Sequence, residues 1–133
     1  MTTDEIQIIL NQSYPKIKEY YGKSKYNDYP LIELHQDIYA RLSGDEEARG
    51  EHSTTSKAQY DNETNTIYIY YPNIVNEEDV LRSLIHEYTH YRQNITTLSK
   101  KYHAMKYTYD TDPHEIEAHK AEEDWHLFTT IKK

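Results

Sequence analysis

The segment 66–93 constrains the fold more than any other part of the chain. Residues 66–71 are β-branched and aromatic and end at a proline, which predicts a strand. Asn76 then stands where a helix N-cap is expected, three acidic residues fill the following turn, and apolar residues recur at helical spacing from Val80. We therefore predict a strand that leads directly into a well-capped helix ending near Gln93.

This helix carries two histidines four residues apart, in the sequence HEYTH from His86 to His90. At about 100° per residue, both histidines lie almost opposite the apolar side, and Glu87 lies about a quarter-turn round. The apolar side consists of Val80, Leu81, Leu84, Ile85, Tyr88, Tyr91 and the aliphatic part of Arg92. We predict that one side of the helix packs on the core while the other presents the histidines.

The spacing of these three residues suits zinc hydrolysis. Two imidazoles one turn apart can reach one zinc ion through bonds of about 2.0–2.1 Å, while a carboxylate on the adjacent residue reaches the water on the ion. The ion acidifies that water, and the glutamate takes its proton and later returns it to the leaving amine. We predict one zinc ion per chain, with His86 and His90 as ligands and Glu87 as the catalytic base. Two histidines that share a solvated helix surface by coincidence are the plain alternative.

A catalytic zinc site usually takes three protein ligands, so a third is sought downstream. In a final helix that begins near Asp112, projection places Glu117 inside an apolar stripe and Glu115 outside it. The stripe contains Ala121, Asp124, Trp125, Phe128 and Ile131. A carboxylate directed towards a core is costly unless it is paired or metal-bound. Glu117 is therefore the predicted third ligand, and Glu115 is the alternative ligand. A purely structural explanation is that Glu117 is buried and bonds a Tyr or Arg side chain without any metal.

Several further polar residues are candidates for supporting roles. Asp124 could hydrogen-bond the far nitrogen of a ligating histidine, or be an ordinary solvated acid. His114 could contact the substrate or the oxyanion, or simply occupy the first turn of its helix. The candidates to stabilise an oxyanion are His103, Tyr107 and Tyr109. The remaining histidines are assigned to the surface or to packing: His35, His52, His119 and His126.

Composition narrows the class of protein. With 133 residues the chain suits one domain, 1–133, with a single core. The 23 Asp and Glu against 15 Lys and Arg give a net charge of -8, which disfavours nucleic acid and anionic membranes as partners. The chain has no cysteine, so any metal must be held by His, Asp or Glu. No signal peptide or transmembrane segment is apparent, which predicts a cytoplasmic protein.

The rest of the chain predicts the remaining elements. Residues 4–21 predict one helix interrupted near Pro15, or two short ones. The stretch 31–42 favours a strand, 42–56 a polar loop, and 58–71 a hairpin with its turn at 62–65. The fold class is therefore α+β: an N-terminal helix, a small twisted sheet, the HEYTH helix and a C-terminal helix that carries the third ligand.

HEYTH, the downstream DPHEIEAHKAE and the preceding strand NTIYIYYPN together resemble the gluzincin metallopeptidases. The combination is similar to small ImmA/IrrE-like and phage-encoded zinc peptidases, over residues 58–128. The resemblance implies a minimal zincin-like domain in which zinc is held by His86, His90 and the glutamate that precedes Ala118, namely Glu117. It also allows for a virus-encoded protein that acts in a host cell.

The resemblance further implies where a substrate would lie. In such folds the strand before the active-site helix pairs with an extended peptide by β-augmentation. The corresponding residues here are Ile67, Tyr68, Ile69, Tyr70 and Tyr71.

Two functions of different classes follow. The first is a zinc-dependent peptidase that hydrolyses a peptide bond in a specific protein or peptide substrate. The second is a non-catalytic zincin-fold module that binds zinc and a partner. Glu87 favours the peptidase, because a binding module has no need of a general base.

Overall fold

The computed structural model describes residues 1–25, 27–36, 57–93 and 113–129. These residues form three α-helices, a three-stranded mixed sheet and two short 3-10 helices, which confirms the α+β class. The elements in chain order are α1 (Thr3–Tyr21), β1 (Leu31–His35), β2 (Ala58–Asp61), β3 (Thr66–Tyr70), a 3-10 helix (Tyr71–Asn73), α2 (Glu77–Arg92), α3 (Pro113–Ala121) and a C-terminal 3-10 helix (Glu122–Leu127). Among the described helices, none combines the length and apolarity that crossing a membrane requires.

Helix α1 is one continuous helix with Pro15 inside it, not the interrupted helix that the sequence predicted. Proline lacks the amide that would bond the carbonyl of residue 11, but Asn11 is exposed, so water can satisfy that carbonyl. A capping box of Thr2 and Glu5 fixes the start of α1. Gly22, with φ 82° and ψ -179°, adopts a conformation that residues with a side chain rarely take, and it ends the helix.

The sheet has the strand order β1-β3-β2. Strand β3 pairs parallel with β1, Leu31 facing Thr66, and antiparallel with β2 across the predicted hairpin turn. Both edges of β3 are therefore occupied. The prediction that an extended peptide pairs with residues 67–71 is wrong, because the strand offers no open edge and Tyr71 already belongs to a 3-10 helix.

Helix α2 lies across the sheet and against α1, and together they enclose the core. The predicted apolar side is confirmed, apart from Arg92, which is exposed. The buried cluster contains Ile6, Ile9, Leu10, Ile17, Ile67, Ile69, Ile74, Val80, Leu81, Leu84, Ile85, Tyr88, Tyr91 and Phe128. This packing fixes the rotation of α2 about its axis, and so fixes where the histidines point.

The N-cap of α2 is the residue that the sequence predicted. The Asn76 side chain accepts a hydrogen bond of 2.9 Å from the Asp79 amide. Replacing Asn76 with Ala should therefore lower the free energy of unfolding by about 1 kcal/mol, since an amide at the helix start loses its acceptor. Urea denaturation followed by circular dichroism measures this, and an unchanged midpoint would contradict the cap assignment.

The C-terminal helix departs from its prediction. It begins at Pro113, near the expected start, but after Ala121 it narrows into the 3-10 helix Glu122–Leu127. Polar contacts tie this segment to the rest of the fold: Tyr21 donates to Asp124 at 2.7 Å, and Arg82 donates to Glu123 at 3.3 Å. The predicted loop at 42–56 and the candidates His52, His103, Tyr107, Tyr109 and Ile131 lie outside the described residues.

Candidate metal centre

Helix α2 has a second buried side, opposite the core, where the residues of HEYTH lie. His86, Glu87 and His90 are each 8% exposed. The sequence predicted correctly that both histidines face away from the apolar side, but they are buried because α3 and the C-terminal 3-10 helix pack over them. Polar groups buried at such a junction need partners of their own.

The two imidazoles converge on one carboxylate of α3. His86 Nε2 lies 3.1 Å from Glu115 Oε2, and His90 Nε2 lies 2.8 Å from Glu115 Oε1. The two Nε2 atoms are only 3.2 Å apart. The structure thus brings together three side chains whose donor atoms could hold one metal ion: His86, His90 and Glu115.

The outer nitrogen of each ring also has an acceptor. His86 Nδ1 donates to Glu122 Oε2 at 2.7 Å, and His90 Nδ1 donates to Gln93 Oε1 at 2.8 Å. When Nδ1 carries the proton, a neutral imidazole presents its lone pair on Nε2. In a neutral ring these outer hydrogen bonds therefore favour the tautomer in which Nε2 is a ligand atom, whereas a ring protonated on both nitrogens donates from Nε2 to Glu115.

Glu117 does not reach the histidines. It is exposed, and its carboxylate accepts a hydrogen bond of 2.7 Å from Gln93 Nε2. The prediction that Glu117 points inward is wrong, because it extrapolated one regular helix as far as residue 131, whereas the buried positions of α3 are His114 and Ala118. Glu115 occupies the place that the sequence assigned to Glu117.

Glu117 nevertheless influences the site indirectly, through Gln93. Because the Glu117 carboxylate accepts a hydrogen bond from the amide nitrogen of Gln93, the amide oxygen of Gln93 faces the His90 ring. The carbonyl of His114 accepts a weaker bond of 3.3 Å from the same nitrogen. Gln93, the C-cap residue of α2, thus connects α2 to α3 through polar contacts.

Glu87 lies beside the cluster and outside it. Its Oε1 accepts a hydrogen bond of 3.0 Å from the Tyr60 amide of β2, and its Oε2 is 4.0 Å from His86 Nε2. The Tyr60 contact fixes the carboxylate and leaves Oε2 on the side of the histidines. Burial raises the pKa of Glu87, although the charges of His90 and His86 oppose this.

Protonation of the cluster follows from its contacts. Burial alone would lower the pKa of His86, but hydrogen bonds to Glu115 and Glu122 outweigh it and raise that pKa to about 10. Burial would raise the pKa of Glu115, yet hydrogen bonds from His86 and His90 hold it well below its usual range. Three carboxylates, from Glu87, Glu115 and Glu122, thus surround two imidazoles, which is an arrangement that favours a cation.

The remaining predicted residues divide as follows. Asp124 accepts from Tyr21, so the position beside His86 that the sequence suggested for it belongs to Glu122. His114 is buried on the inner side of α3. His119, assigned to the surface or packing, is half-exposed and lies 2.9 Å from Glu122 through its Nδ1.

If the cluster binds the predicted zinc ion, replacing Glu122 with Gln should weaken that binding by about 10-fold to 100-fold, because His86 loses the carboxylate that orients its ring and raises its basicity. Competition with a chromophoric zinc chelator measures the affinity. Asp124→Asn is the matched control: the residue is two positions away in the same 3-10 helix, and the affinity should stay at the wild-type value. Equal affinities for all three proteins would show that Glu122 does not support His86.

Comparison with known proteins does not assign the chain to a family. No family model matches the chain, and no curated protein or solved structure matches it. The function must therefore be argued from the site itself.

Proposed function

We propose that the chain is a zinc-dependent peptidase of the zincin type, with zinc held by His86, His90 and Glu115. One observation carries the proposal: both Nε2 atoms, 3.2 Å apart, face each other and Glu115, while both Nδ1 atoms donate outward. If both rings were neutral, their Nε2 lone pairs would face each other and the Glu115 carboxylate, and these groups repel one another at this distance. A cation between them and the carboxylate removes that conflict.

The donor set suits zinc. Two imidazole nitrogens and one carboxylate oxygen form a three-ligand set with room for a fourth ligand, as catalytic zinc sites have and closed structural sites lack. When bound, the ion supplies Lewis acidity, which lowers the pKa of water towards neutrality and polarises a substrate carbonyl.

Glu87 is suited to the proton transfer. Its Oε1 is held by the Tyr60 amide, so the carboxylate cannot rotate away, and its Oε2 remains near the histidines without joining their ligand set. From there it accepts a proton from the attacking water and delivers it to the leaving amine. The positive charge of a cation beside it counteracts burial and favours the ionised carboxylate that a base requires.

The edge of the sheet that adjoins Glu87 belongs to β2, not β3. Strand β2 is an outer strand among the described residues, and its Tyr60 amide points out of the sheet towards Glu87. A peptide that lies along this edge, with the Tyr60 amide still donating to Glu87, would pass directly in front of the base. The proposal therefore places an extended protein or peptide substrate along Ala58–Asp61.

A non-catalytic zinc-binding module is the second candidate. One observation favours it: Glu87 is buried, with a raised pKa and a backbone hydrogen bond, so it could serve as a neutral structural acid. In that case the chain binds zinc and a partner without turnover.

Metal content and cleavage together test the proposal. Purified protein would be analysed for metals by mass spectrometry and then incubated with a peptide library, with and without a chelator. One tightly bound zinc per chain and chelator-sensitive cleavage would support the peptidase. Tight zinc without cleavage would favour the module, and a chain that takes up no zinc would overturn both.

A further inference from the structure

A second group of metal-ligating side chains lies on the outer side of the His86 ring. It consists of His86, His119 and Glu122, each offering a ligand atom within 4.8 Å of the others. Glu122 Oε2 lies 2.7 Å from His86 Nδ1 and 2.9 Å from His119 Nδ1. The two imidazole rings are 4.7 Å apart between centroids. Two imidazoles and a carboxylate again form the donor set that zinc prefers.

We propose that this group is a second divalent-cation site, weaker than the proposed centre and open to solvent. Exposure of the side chains rises outward from 10% for His86 and 18% for Glu122 to 54% for His119. An ion placed here keeps more of its water than one beside Glu115. The half-exposed His119 must also lose side-chain freedom to bind, which further weakens the site.

The two sites share one ring. A neutral imidazole has a single lone pair, so when His86 binds a cation through Nε2 its Nδ1 keeps a proton. A second ion must then be bound by His119 and Glu122 alone. Binding of that ion weakens the hydrogen bond from His86 Nδ1 to the Glu122 carboxylate. Occupation of the outer site therefore weakens the inner one, and excess zinc opposes the function of the centre.

An ordinary helical ion pair is the competing explanation, since His119 and Glu122 are three residues apart on the same helical segment. Such a pair would involve one imidazole. Here a single carboxylate oxygen accepts from two imidazoles that come from different helices. A pair between His119 and Glu122 alone would not bring the His86 ring to the same carboxylate oxygen.

Zinc stoichiometry tests the second site without depending on any catalytic turnover. Equilibrium dialysis would count bound zinc at free concentrations buffered from the nanomolar to the high micromolar range. The wild-type chain should take up a tight ion and then a weaker one, and His119→Ala should lose only the weaker one. His126→Ala is the matched control, because it removes an exposed histidine from the adjoining 3-10 helix and should retain both ions.

The outcomes separate this inference from the proposed function. A wild-type chain that saturates with one tight ion overturns the second site and leaves the peptidase proposal intact. Retention of the weaker ion by His119→Ala, or its loss from both variants, also overturns the second site. If no variant binds a tight ion and a weaker ion disappears only in His119→Ala, the outer site is supported. The same result overturns the proposed centre, because that centre requires the tight ion.

Discussion

Replacing Glu87 with Gln should leave the zinc content unchanged and lower the rate of peptide cleavage by a factor of about 10² to 10⁴, the contribution usual for a positioned general base. The amide has nearly the same shape as the carboxylate, and its oxygen can still accept from the Tyr60 amide. What it lacks is the ability to take a proton. The loss should therefore appear in kcat, with little change in metal affinity or thermal stability.

Glu78→Gln is the matched control for this experiment. Glu78 lies on the same helix and pairs with Arg82 at 2.7 Å, away from the histidines. Its replacement should leave cleavage at the wild-type rate. If Glu87→Gln cleaves as fast as Glu78→Gln, Glu87 is not the base. If neither variant nor the wild type cleaves any peptide while zinc remains bound, the non-catalytic module is the better description.

The second large effect is expected at Glu115. Replacing Glu115 with Ala should weaken zinc binding by about 100-fold or more. Loss of an outer hydrogen-bond partner typically lowers metal affinity by about 10-fold to 100-fold, and loss of a direct ligand should lower it at least as much. It also removes the carboxylate that both histidines contact. Isothermal titration or chelator competition measures the change.

Glu117→Ala provides the contrast, since it removes the same side chain two residues along the same helix. Glu117 touches Gln93 and not the histidines, so its loss should change zinc affinity by less than about 10-fold. The reverse order, with Glu117→Ala the more damaging, would restore the ligand set that the sequence predicted. Equal and small effects would mean that neither glutamate binds the metal.

Local signals made much of the fold predictable. The N-cap at Asn76, the alternating strand before it and the apolar spacing from Val80 are each set within a few residues, so α2 and β3 were predicted closely. The arrangement of His86 and His90 was predictable for the same reason, because both lie on one helix, which fixes their relative position. Sequence order could not show that β3 lies between β1 and β2, since that depends on a parallel pairing between distant segments.

The sequence favoured Glu117 over Glu115 for a physical reason. The projection of Glu117 depended on a regular helix through Ala121 and beyond, but the chain changes from α to 3-10 geometry at Glu122, and each residue then turns further round the axis. Even within Pro113–Ala121, projection places Glu115 and Glu117 on opposite flanks of the inward residues His114 and Ala118, each about 80° from their midpoint, so helical spacing alone does not separate the two glutamates. Glu122 was missed because its contact with His86 joins two segments distant in the chain, whereas the contact of Gln93 with His90 spans only three residues and helical spacing could have suggested it.

The contacts of the C-terminal segment have a consequence for how the molecule is assembled. Glu115, Glu117, Glu122 and Glu123 each bond a side chain of α2 or its C-cap, Gln93, so most of the polar attachment of this segment is to the centre itself or its immediate border. Zinc that binds only the assembled form stabilises it in proportion to the logarithm of its free concentration. Under the proposed zinc binding, docking of the last helical segment and metal uptake would be two sides of one equilibrium, so the free zinc concentration would set how much of the chain has this segment docked.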